Sequence, residues 1–448
     1  MYARLLGREL LILTLPPDAR HLMPTTAMLR FRSRPRRRAL CFVAVVGALL
    51  TRAARADDWP QFLGPLRNGV YAGNDLAPSW PAGGPKKLWS REVGEGFAGP
   101  AVAGDRLVLF HRLGDRETVE CLHAETGEGI WSFDYPTAYV DDFGFDNGPR
   151  SVPTLAEGRV YTFGAEGTLD CLDLETGKKL WSVEIHKQFG VRKGYFGAAC
   201  SPAVEGNRVL LNIGGRKGAG VGAFDKRTGA VVWTATDDEA SYSSPIVATL
   251  GGERHALFFT RAGLVDADPA DGTVRLQFAW RPPISASVNA ATPLAIGDQV
   301  FLSTSYGRGA VLLNVKGNQA EPVWQSDDAM TNHYATCVYR DGYLYGFHGR
   351  QEYGPSLRCV ELATGRVVWS QDRFGAGTLI LAGDRLVVLR EDGQLVLASA
   401  SPQGYRELAR ARVLPATARA YPALSGGRLY ARNANTLVAV DLRELKIK

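Results

Sequence analysis

The chain has 448 residues, of which 45% are hydrophobic, with 50 glycines and 24 prolines, enough for one large β domain or two to three smaller domains. Its formal net charge of +6 is unevenly distributed along the chain, because residues 1–56 hold 11 of the 52 basic and only 2 of the 46 acidic side chains. The other residues hold 41 basic and 44 acidic side chains, a net charge of −3. A mildly acidic body without a basic run lacks the electrostatic footprint of a nucleic-acid-binding protein.

Residues 1–56 have the organisation of a secretory signal peptide, with Met28 as a second candidate start. A basic cluster, Arg30 to Arg38, precedes an apolar run from Ala39 to Leu50, and the small-x-small sequence Ala54-Arg55-Ala56 follows. We expect cleavage after Ala56 and a periplasmic or secreted protein. A run of about a dozen residues is too short to span a bilayer, so no transmembrane segment is expected in the mature chain. An uncleaved anchor is the alternative interpretation.

Residues 57–86 are rich in proline and glycine and are predicted to form an N-terminal strap that leads into repeats. From residue 87 to 448 the sequence repeats with a period of about 45 residues. Each repeat has a turn glycine before a short apolar strand. These glycines are Gly104, Gly158, Gly206, Gly252, Gly297, Gly342, Gly383 and Gly427. Eight anchors with short strands and regular turns predict an all-β, eight-bladed β-propeller of four-stranded antiparallel blades.

Several repeats end in the pattern D-x-x-T-G-x-x-x-W, which is complete at Asp173/Gly177/Trp181 and Asp225/Gly229/Trp233 and degenerate in the units around 297–328, 383–414 and 427–448. The Asp side chain is suited to accept backbone N–H groups of the turn, and Gly to adopt a positive φ. We expect the Trp to cover the seam between blades and to need one partner for its indole N–H.

The last repeat stops after its third strand, at Leu437 to Val440, and lacks the fourth strand with its Trp. Such a strand stands instead at the start, around Trp89. We therefore predict that the N- and C-terminal strands share one blade and close the ring, which removes the open edges of a linear array.

Five cysteines follow residue 56, and no two are adjacent. They are Cys121, Cys171, Cys200, Cys337 and Cys359. An odd number leaves at least one free thiol. Cys121, Cys171 and Cys359 occupy the same repeat position in different blades, too far apart for a disulfide, and are interpreted as core thiols.

The repeats resemble the pyrroloquinoline-quinone (PQQ) β-propeller repeat family over residues 80–448, and residues 58–69 (DWPQFLGPLRNG) look like the start of exported members. The family includes quinone-dependent alcohol dehydrogenases and the propeller lipoprotein of the outer-membrane β-barrel assembly machinery, which binds no quinone. Methanol-dehydrogenase-type members stack the quinone between a Trp and a disulfide of adjacent cysteines, and use Glu, Asn and Asp around Ca²⁺. This chain has no adjacent cysteine pair and no cysteine at the cleavage site for lipidation.

The loops that lead into the innermost strands of a propeller lie at one mouth of its channel. They carry a set of polar and aromatic residues that we predict to bind a ligand. The set comprises Asn147, Arg150, Arg192, Tyr195, Phe196, Tyr242, Asn289, Asn332, His333, Tyr334, Arg419 and Tyr421. Arginines beside aromatic rings suit a planar anion, such as a quinone tricarboxylate, a peptide acid or a sugar acid. In the alternative interpretation the aromatic rings pack the channel neck and His333 is a structural hydrogen-bonder.

We therefore expect an exported, monomeric binding or scaffold protein that recognises a small anionic ligand or an envelope protein at one face. No catalytic or metal-ligating residue is assigned, and no cofactor is firmly implied. The alternative is a PQQ-dependent alcohol dehydrogenase-like quinoprotein with PQQ and Ca²⁺. A third hypothesis is a scaffold that uses blade edges and outer loops.

Overall fold

The computed structural model describes residues 58–444, so the predicted signal peptide and its cleavage site at Ala56 lie outside the described residues. In chain order the first strands are β1 Val70–Tyr71, β2 Lys86–Glu92, β3 Ala101–Ala103, β4 Arg106–Leu113, β5 Arg116–His123, β6 Gly129–Pro136, β7 Thr154–Ala156, β8 Arg159–Phe163, β9 Thr168–Asp173, β10 Lys179–Glu184, β11 Ala203–Glu205, β12 Arg208–Asn212, β13 Val221–Asp225, β14 Val231–Ala235, β15 Ile246–Leu250, β16 Glu253–Phe259 and β17 Gly263–Ala267.

The series continues to the end of the described chain. The later strands are β18 Val274–Ala279, β19 Leu294–Ile296, β20 Gln299–Thr304, β21 Gly309–Lys316, β22 Gln319–Ser326, β23 Val338–Arg340, β24 Tyr343–His348, β25 Ser356–Glu361, β26 Val367–Gln371, β27 Gly377–Ala382, β28 Arg385–Arg390, β29 Gln394–Ser399, β30 Glu407–Arg412, β31 Ala423–Ser425, β32 Arg428–Arg432 and β33 Thr436–Asp441. Helical structure in residues 58–444 is limited to α1 Ile185–Phe189 and a 3₁₀ turn at Gln351–Tyr353. No helix in this range has the length and apolar character needed to cross a bilayer.

These strands form eight antiparallel sheets, which confirms the predicted eight-bladed propeller. Blades 1 to 6 are successive groups of four strands, from β3–β6 to β23–β26, and β27–β30 form blade 7. Within a blade the second and third strands are almost wholly buried, whereas the fourth is partly exposed, as in β12, β13 and β14. The first strand of each blade is the innermost, and it surrounds the central channel.

The repeat glycines serve as the predicted tight turns between the first and second strands of each blade. All eight anchor glycines have φ between +55° and +88°, for example +74° at Gly158. Such a conformation costs a residue with a Cβ about 1–2 kcal/mol, so glycine is favoured at these turns.

Blade 8 is closed as predicted by the two ends of the described chain. Its order is β2-β33-β32-β31, and Trp89 of β2 is paired with Ala439 of β33. The first and last strands of the ring therefore share one sheet, so the blades of residues 86–441 form a closed ring rather than a linear array with two open ends.

The seams between blades are built from the predicted tryptophans. The Nε1–H of Trp131 in blade 1 donates to the Leu174 carbonyl in blade 2 at 2.9 Å. The same ring packs over Gly177, where a Cβ would lie 2.5 Å from its Cε3 atom. Equivalent indole-to-carbonyl bonds join the neighbouring blades at Trp89, Trp181, Trp233, Trp324 and Trp369. The Trp ring thus joins the two blades, and it also leaves no room for a Cβ at the glycine of the next turn.

Residues 59–71, which we name the channel segment, lie across the centre of the ring. The Trp59 N–H donates to the Val102 carbonyl in blade 1, and the Pro60 carbonyl accepts from Leu155 in blade 2. At its other end β1 pairs in parallel with β27 of blade 7. Because these partners belong to innermost strands of different blades, the segment occupies the channel that they surround. The sequence predicted a strap here, but not its course through the ring.

One buried arginine fixes the middle of the channel segment. Arg67 is 5% exposed, and its guanidinium donates to the carbonyls of Ser201 and Pro202, each at 2.8 Å, ahead of the innermost strand of blade 3. Burial lowers its pKa to about 10. Backbone carbonyls thus solvate this cation, and it links the segment to blade 3.

Candidate functional site

The loops that enter the innermost strands converge on a cavity of about 540 Å³ at one mouth of the channel, which we name the mouth cavity. Phe62 of the channel segment contributes to its lining and packs edge-on against Tyr421, with ring centroids 4.9 Å apart. The channel is therefore filled beneath the cavity rather than open through the ring.

Ten of the 24 residues that line the mouth cavity are Phe or Tyr. The lining includes Phe62, Phe97, Phe143, Phe145, Tyr195, Phe196, Tyr242, Tyr306, Tyr334 and Tyr421. Phe143 and Phe145 stack at 6.2 Å on the long loop between β6 and β7, and both are more than half exposed. Phe196 contacts both of these rings and Tyr242. An apolar wall with exposed rings favours a ligand or partner group that is itself aromatic or apolar.

Three arginines border the mouth cavity, and each is paired with a carboxylate. Arg150 Nη2 lies 2.6 Å from Asp141 Oδ2, a carboxylate that is wholly buried. Arg419 Nε lies 3.0 Å from Glu391 Oε1. The third pair joins Arg350 Nη2 to Glu352 Oε1 at 2.9 Å. The three cations are therefore compensated within the protein.

The same arginines hold aromatic rings in place. The guanidinium carbon of Arg150 lies 5.4 Å from the ring centroid of Phe97, and that of Arg419 lies 5.6 Å from the same ring. Arg419 also lies 5.3 Å from Phe145. These cation–π contacts give the arginines a structural role in the wall.

The polar end of the mouth cavity is centred on His333. Its Nδ1 accepts from the backbone N–H of Gln351 at 3.4 Å, and its Nε2 lies 2.8 Å from the Tyr306 hydroxyl. Burial lowers the pKa of His333 to about 4, so the ring is neutral at pH 7. With Nδ1 as acceptor, the proton sits on Nε2 and is donated to the Tyr306 oxygen. The Tyr306 hydroxyl hydrogen is then free to point to a ligand.

A second cavity of about 520 Å³, which we name the basic cleft, adjoins the mouth cavity and shares four lining residues with it, Tyr195, Ala199, Tyr242 and Val288. Its other lining residues are more polar and come mostly from the β6–β7 loop, from α1 and from the loops between α1 and β17. They include Asp142, His186, Arg192, Lys193, Arg216, Asp237, Glu239 and Arg261. Burial lowers the pKa of His186 to about 4, so this ring adds no positive charge at neutral pH.

The structure brings together most of the residues predicted to bind a ligand. Those that line the mouth cavity are Arg150, Tyr195, Phe196, Tyr242, His333, Tyr334, Arg419 and Tyr421. Arg192 lines the basic cleft. The remaining three, Asn147, Asn289 and Asn332, line neither cavity.

These three asparagines hold loops in place. Asn289 Nδ2 donates to the Thr260 carbonyl at 2.8 Å, and Asn332 Nδ2 donates to the Phe347 carbonyl at 2.8 Å. Asn147 Oδ1 accepts from the backbone N–H of Asp141 at 3.0 Å. Asparagine side chains pair readily with loop backbone, and the sequence pattern does not distinguish that role from ligand binding.

Sequence reasoning missed the lining residues contributed by other loops. Tyr306 lies between β20 and β21, and Arg350 and Glu352 lie between β24 and β25. The topology of the blades could have identified these residues. Strands alternate in direction, so connections from second to third strands open on the same face as connections between blades.

The residues that line the mouth cavity do not fit a calcium-bound quinone of the type implied by the family resemblance. They include no Trp and no Cys, and their one carboxylate, Glu352, is paired with Arg350. All five cysteines of residues 58–444 are buried free thiols. Within the same part of the chain, no three His, Cys, Asp or Glu side chains are grouped to hold a metal ion.

Comparisons with known proteins agree with this architecture. A family model described as outer membrane protein assembly factor BamB matches residues 115–352 and 353–448. The structure of BamB from Moraxella catarrhalis matches with a TM-score of 0.55 at 16% identity, covering 81% of this chain and 98% of that one. A search of curated proteins finds no match.

Two further solved structures have the same architecture. A quinohemoprotein alcohol dehydrogenase from Comamonas testosteroni matches with a TM-score of 0.61 at 15% identity, covering 88% of this chain and 82% of that one. The computationally designed protein Ika8 matches with a TM-score of 0.55 at 13% identity, covering 79% and 99%. At such low identities these likenesses show the fold alone.

Proposed function

The chain belongs to the family described as outer membrane protein assembly factor BamB, and from this premise we propose that it is an exported, monomeric binding or scaffold propeller. It receives an aromatic or apolar group of a ligand or envelope partner in the mouth cavity, and it does so without catalysis. The observation that carries this proposal is the aromatic wall of a 540 Å³ cavity whose three arginines are already paired.

The size and chemistry of the mouth cavity support binding. Its volume falls in the usual range for small-molecule sites, about 300–1,000 Å³. The exposed pair Phe143 and Phe145 stands at its rim, where burial by a partner would remove apolar surface from water. The Tyr306 hydroxyl and His333 provide orientation at the polar end.

Native mass spectrometry of the purified protein tests for a retained small molecule, and fluorescence titration with N-phenyl-1-naphthylamine tests the cavity itself. Phe196→Ala removes a ring that contacts four others in the wall, and we expect it to weaken probe binding about tenfold. Tyr353→Ala is the matched control, because Tyr353 is 78% exposed and lies outside the lining. Equal affinities for the two variants and the unsubstituted protein would show that the probe binds elsewhere.

The quinoprotein alternative has its own test. The protein is incubated with PQQ and Ca²⁺, and quinone absorbance and alcohol-dependent dye reduction are measured. We expect neither a bound quinone nor dye reduction, because the lining lacks the donor set described above. Dye reduction that depends on alcohol and PQQ would contradict the non-catalytic assignment.

A further inference from the structure

We propose that the mouth cavity and the basic cleft form one bipartite site for an amphipathic anion. The aromatic or apolar body of the ligand lies in the mouth cavity, and its acidic head lies in the cleft beside Arg192 and Arg216. This inference rests on the proposed function and adds the chemical class of the ligand.

The first support is the distribution of uncompensated charge. Each arginine of the mouth cavity has a carboxylate partner, as described above. In the cleft, Lys193 pairs with Asp142, and Arg261 Nη1 lies 3.2 Å from Glu239 Oε2. Arg192 and Arg216 also line the cleft, but neither has an ion-pair or hydrogen-bond partner within residues 58–444. The remaining carboxylate of the lining, Asp237, accepts from the Gly218 N–H at 2.7 Å, so the cleft has two unpaired cations against one carboxylate without a cationic partner. The positive charge available to a ligand therefore lies beside the aromatic cavity and not inside it.

The second support is the shared wall. Tyr195 and Tyr242 line both cavities, so a single ligand can contact both compartments across them. Tyr195 also lies under Arg261, with 5.6 Å between the guanidinium carbon and the ring centroid. The Tyr242 oxygen accepts from the Phe196 N–H at 3.0 Å, which leaves its own hydrogen free to donate. A hydroxyl donor at the junction suits an acceptor oxygen of the head group.

The third support is geometric recognition of the head. A guanidinium offers paired N–H donors that match the oxygens of a carboxylate, sulfonate or phosphate. Arg216 lies in the loop between β12 and β13, and Arg192 lies in the loop between α1 and β11. The loop of Arg216 opens on the mouth side of blade 3, and the loop of Arg192 connects blade 2 to blade 3 on the same side. The two side chains therefore reach the cleft from different loops.

A pair of probes that share one ring system tests the inference. 1-Anilinonaphthalene-8-sulfonate carries an acidic head, and N-phenyl-1-naphthylamine is its uncharged counterpart. For the full mature chain we expect the sulfonate to bind about tenfold more tightly, and this advantage to shrink at high salt. The double variant Arg192→Gln/Arg216→Gln is expected to abolish the advantage and to leave the affinity for the neutral probe unchanged.

Arg227→Gln is the matched control. Arg227 is an exposed arginine of blade 3 in the turn between β13 and β14, at the opposite end of the blade. Its substitution removes one positive charge, whereas the double variant removes two. Arg227→Gln should keep the sulfonate advantage. If the double variant keeps the advantage as well, the bipartite inference is wrong and the proposed function stands. If neither probe binds the unsubstituted protein, the proposed function itself fails.

Discussion

At the residue scale, the mouth cavity shows how pairing changes the meaning of an arginine. Sequence reasoning treats Arg150 and Arg419 as ligands for an anion, because a guanidinium beside aromatic rings is suited to one. The structure pairs them with Asp141 and Glu391 instead. Both carboxylates come from positions that no local pattern links to the arginines. The residues that converge on the mouth were therefore predictable in large part, but the ion pairs that their arginines form were not.

Asp170, on the third strand of blade 2, gives a pH-dependent prediction. Its side chain is 1% exposed, and burial raises its pKa above the usual value. A carboxyl group with a raised folded-state pKa stabilises the fold below its unfolded pKa, and this contribution is lost as the pH rises through the folded pKa. We expect Asp170→Asn to raise the free energy of unfolding at pH 7 by about 1–2 kcal/mol, and the gain to vanish towards pH 3. Denaturant titrations across this pH range measure both.

Asp225 is the control for Asp170, because its pKa is shifted in the opposite direction. The pKa of Asp225 is lowered, chiefly by its hydrogen bond from the Thr228 hydroxyl. Its contribution to stability is present above the unfolded pKa and is lost as the pH falls, so Asp225→Asn should lose stability at pH 7. A loss of stability in Asp170→Asn at pH 7 would contradict the raised pKa.

At the scale of elements, the seam between blades couples Trp131 to Gly177, which lies 46 residues further along the chain. Gly177 has φ +70° and lies under the Trp131 ring, whereas Gly158 has φ +74° and no atom within 4 Å of its Cβ position. Gly158→Ala therefore meets only the backbone cost, about 1–2 kcal/mol. Gly177→Ala adds the clash with the indole, and we expect a loss of about 3 kcal/mol or more in the free energy of unfolding.

Chemical denaturation of both variants measures this difference, and a second substitution identifies its cause. In a Trp131→Leu background the penalty for Gly177→Ala should fall towards that of Gly158→Ala, because the flat ring is gone. If the two glycine substitutions cost the same in the unsubstituted protein, the Trp does not select glycine at the turn.

The elements were the most predictable level of this structure. The D-x-x-T-G-x-x-x-W pattern predicted the turn, the strand and the seam correctly, because each residue type has one local role. The Asp accepts hydrogen bonds from the turn, the Gly adopts a positive φ, and the Trp packs between blades. Asp173 Oδ1 accepts from both the N–H and the hydroxyl of Thr176, as expected. Blade boundaries followed from the repeat period. The course of residues 59–71 did not, because their partners lie in distant blades and leave no periodic pattern.

At the scale of the whole molecule, the channel segment contacts blades 1, 2, 3 and 7 and so links blade 7 to blades that are not its neighbours in the ring. Trp59 is 2% exposed in the channel, while Leu66 of the same segment is 77% exposed. We expect Trp59→Ala to lower the free energy of unfolding by about 3–5 kcal/mol and Leu66→Ala to change it by less than about 0.5 kcal/mol. Thermal and denaturant unfolding measure these values.

The same variants report on the lining of the mouth cavity. Trp59 and Phe62 belong to one short segment, so loosening it should also weaken the binding of N-phenyl-1-naphthylamine. A Trp59→Ala protein with unchanged stability and unchanged probe affinity would show that the channel segment is dispensable to the ring.

The pairing of β2 with β33 has a consequence for the order in which the molecule can be built. During synthesis, residues 86–92 emerge early and residues 436–441 emerge last. Blades 1 to 7 draw their four main strands from contiguous sequence, so each can form in turn, but the eighth must wait for the final stretch. The channel segment waits almost as long, since its β27 partner begins only at Gly377. The earliest-made part of the described chain is thus locked in place by the latest, and a nascent chain interrupted before residue 436 has no means of closing the circle.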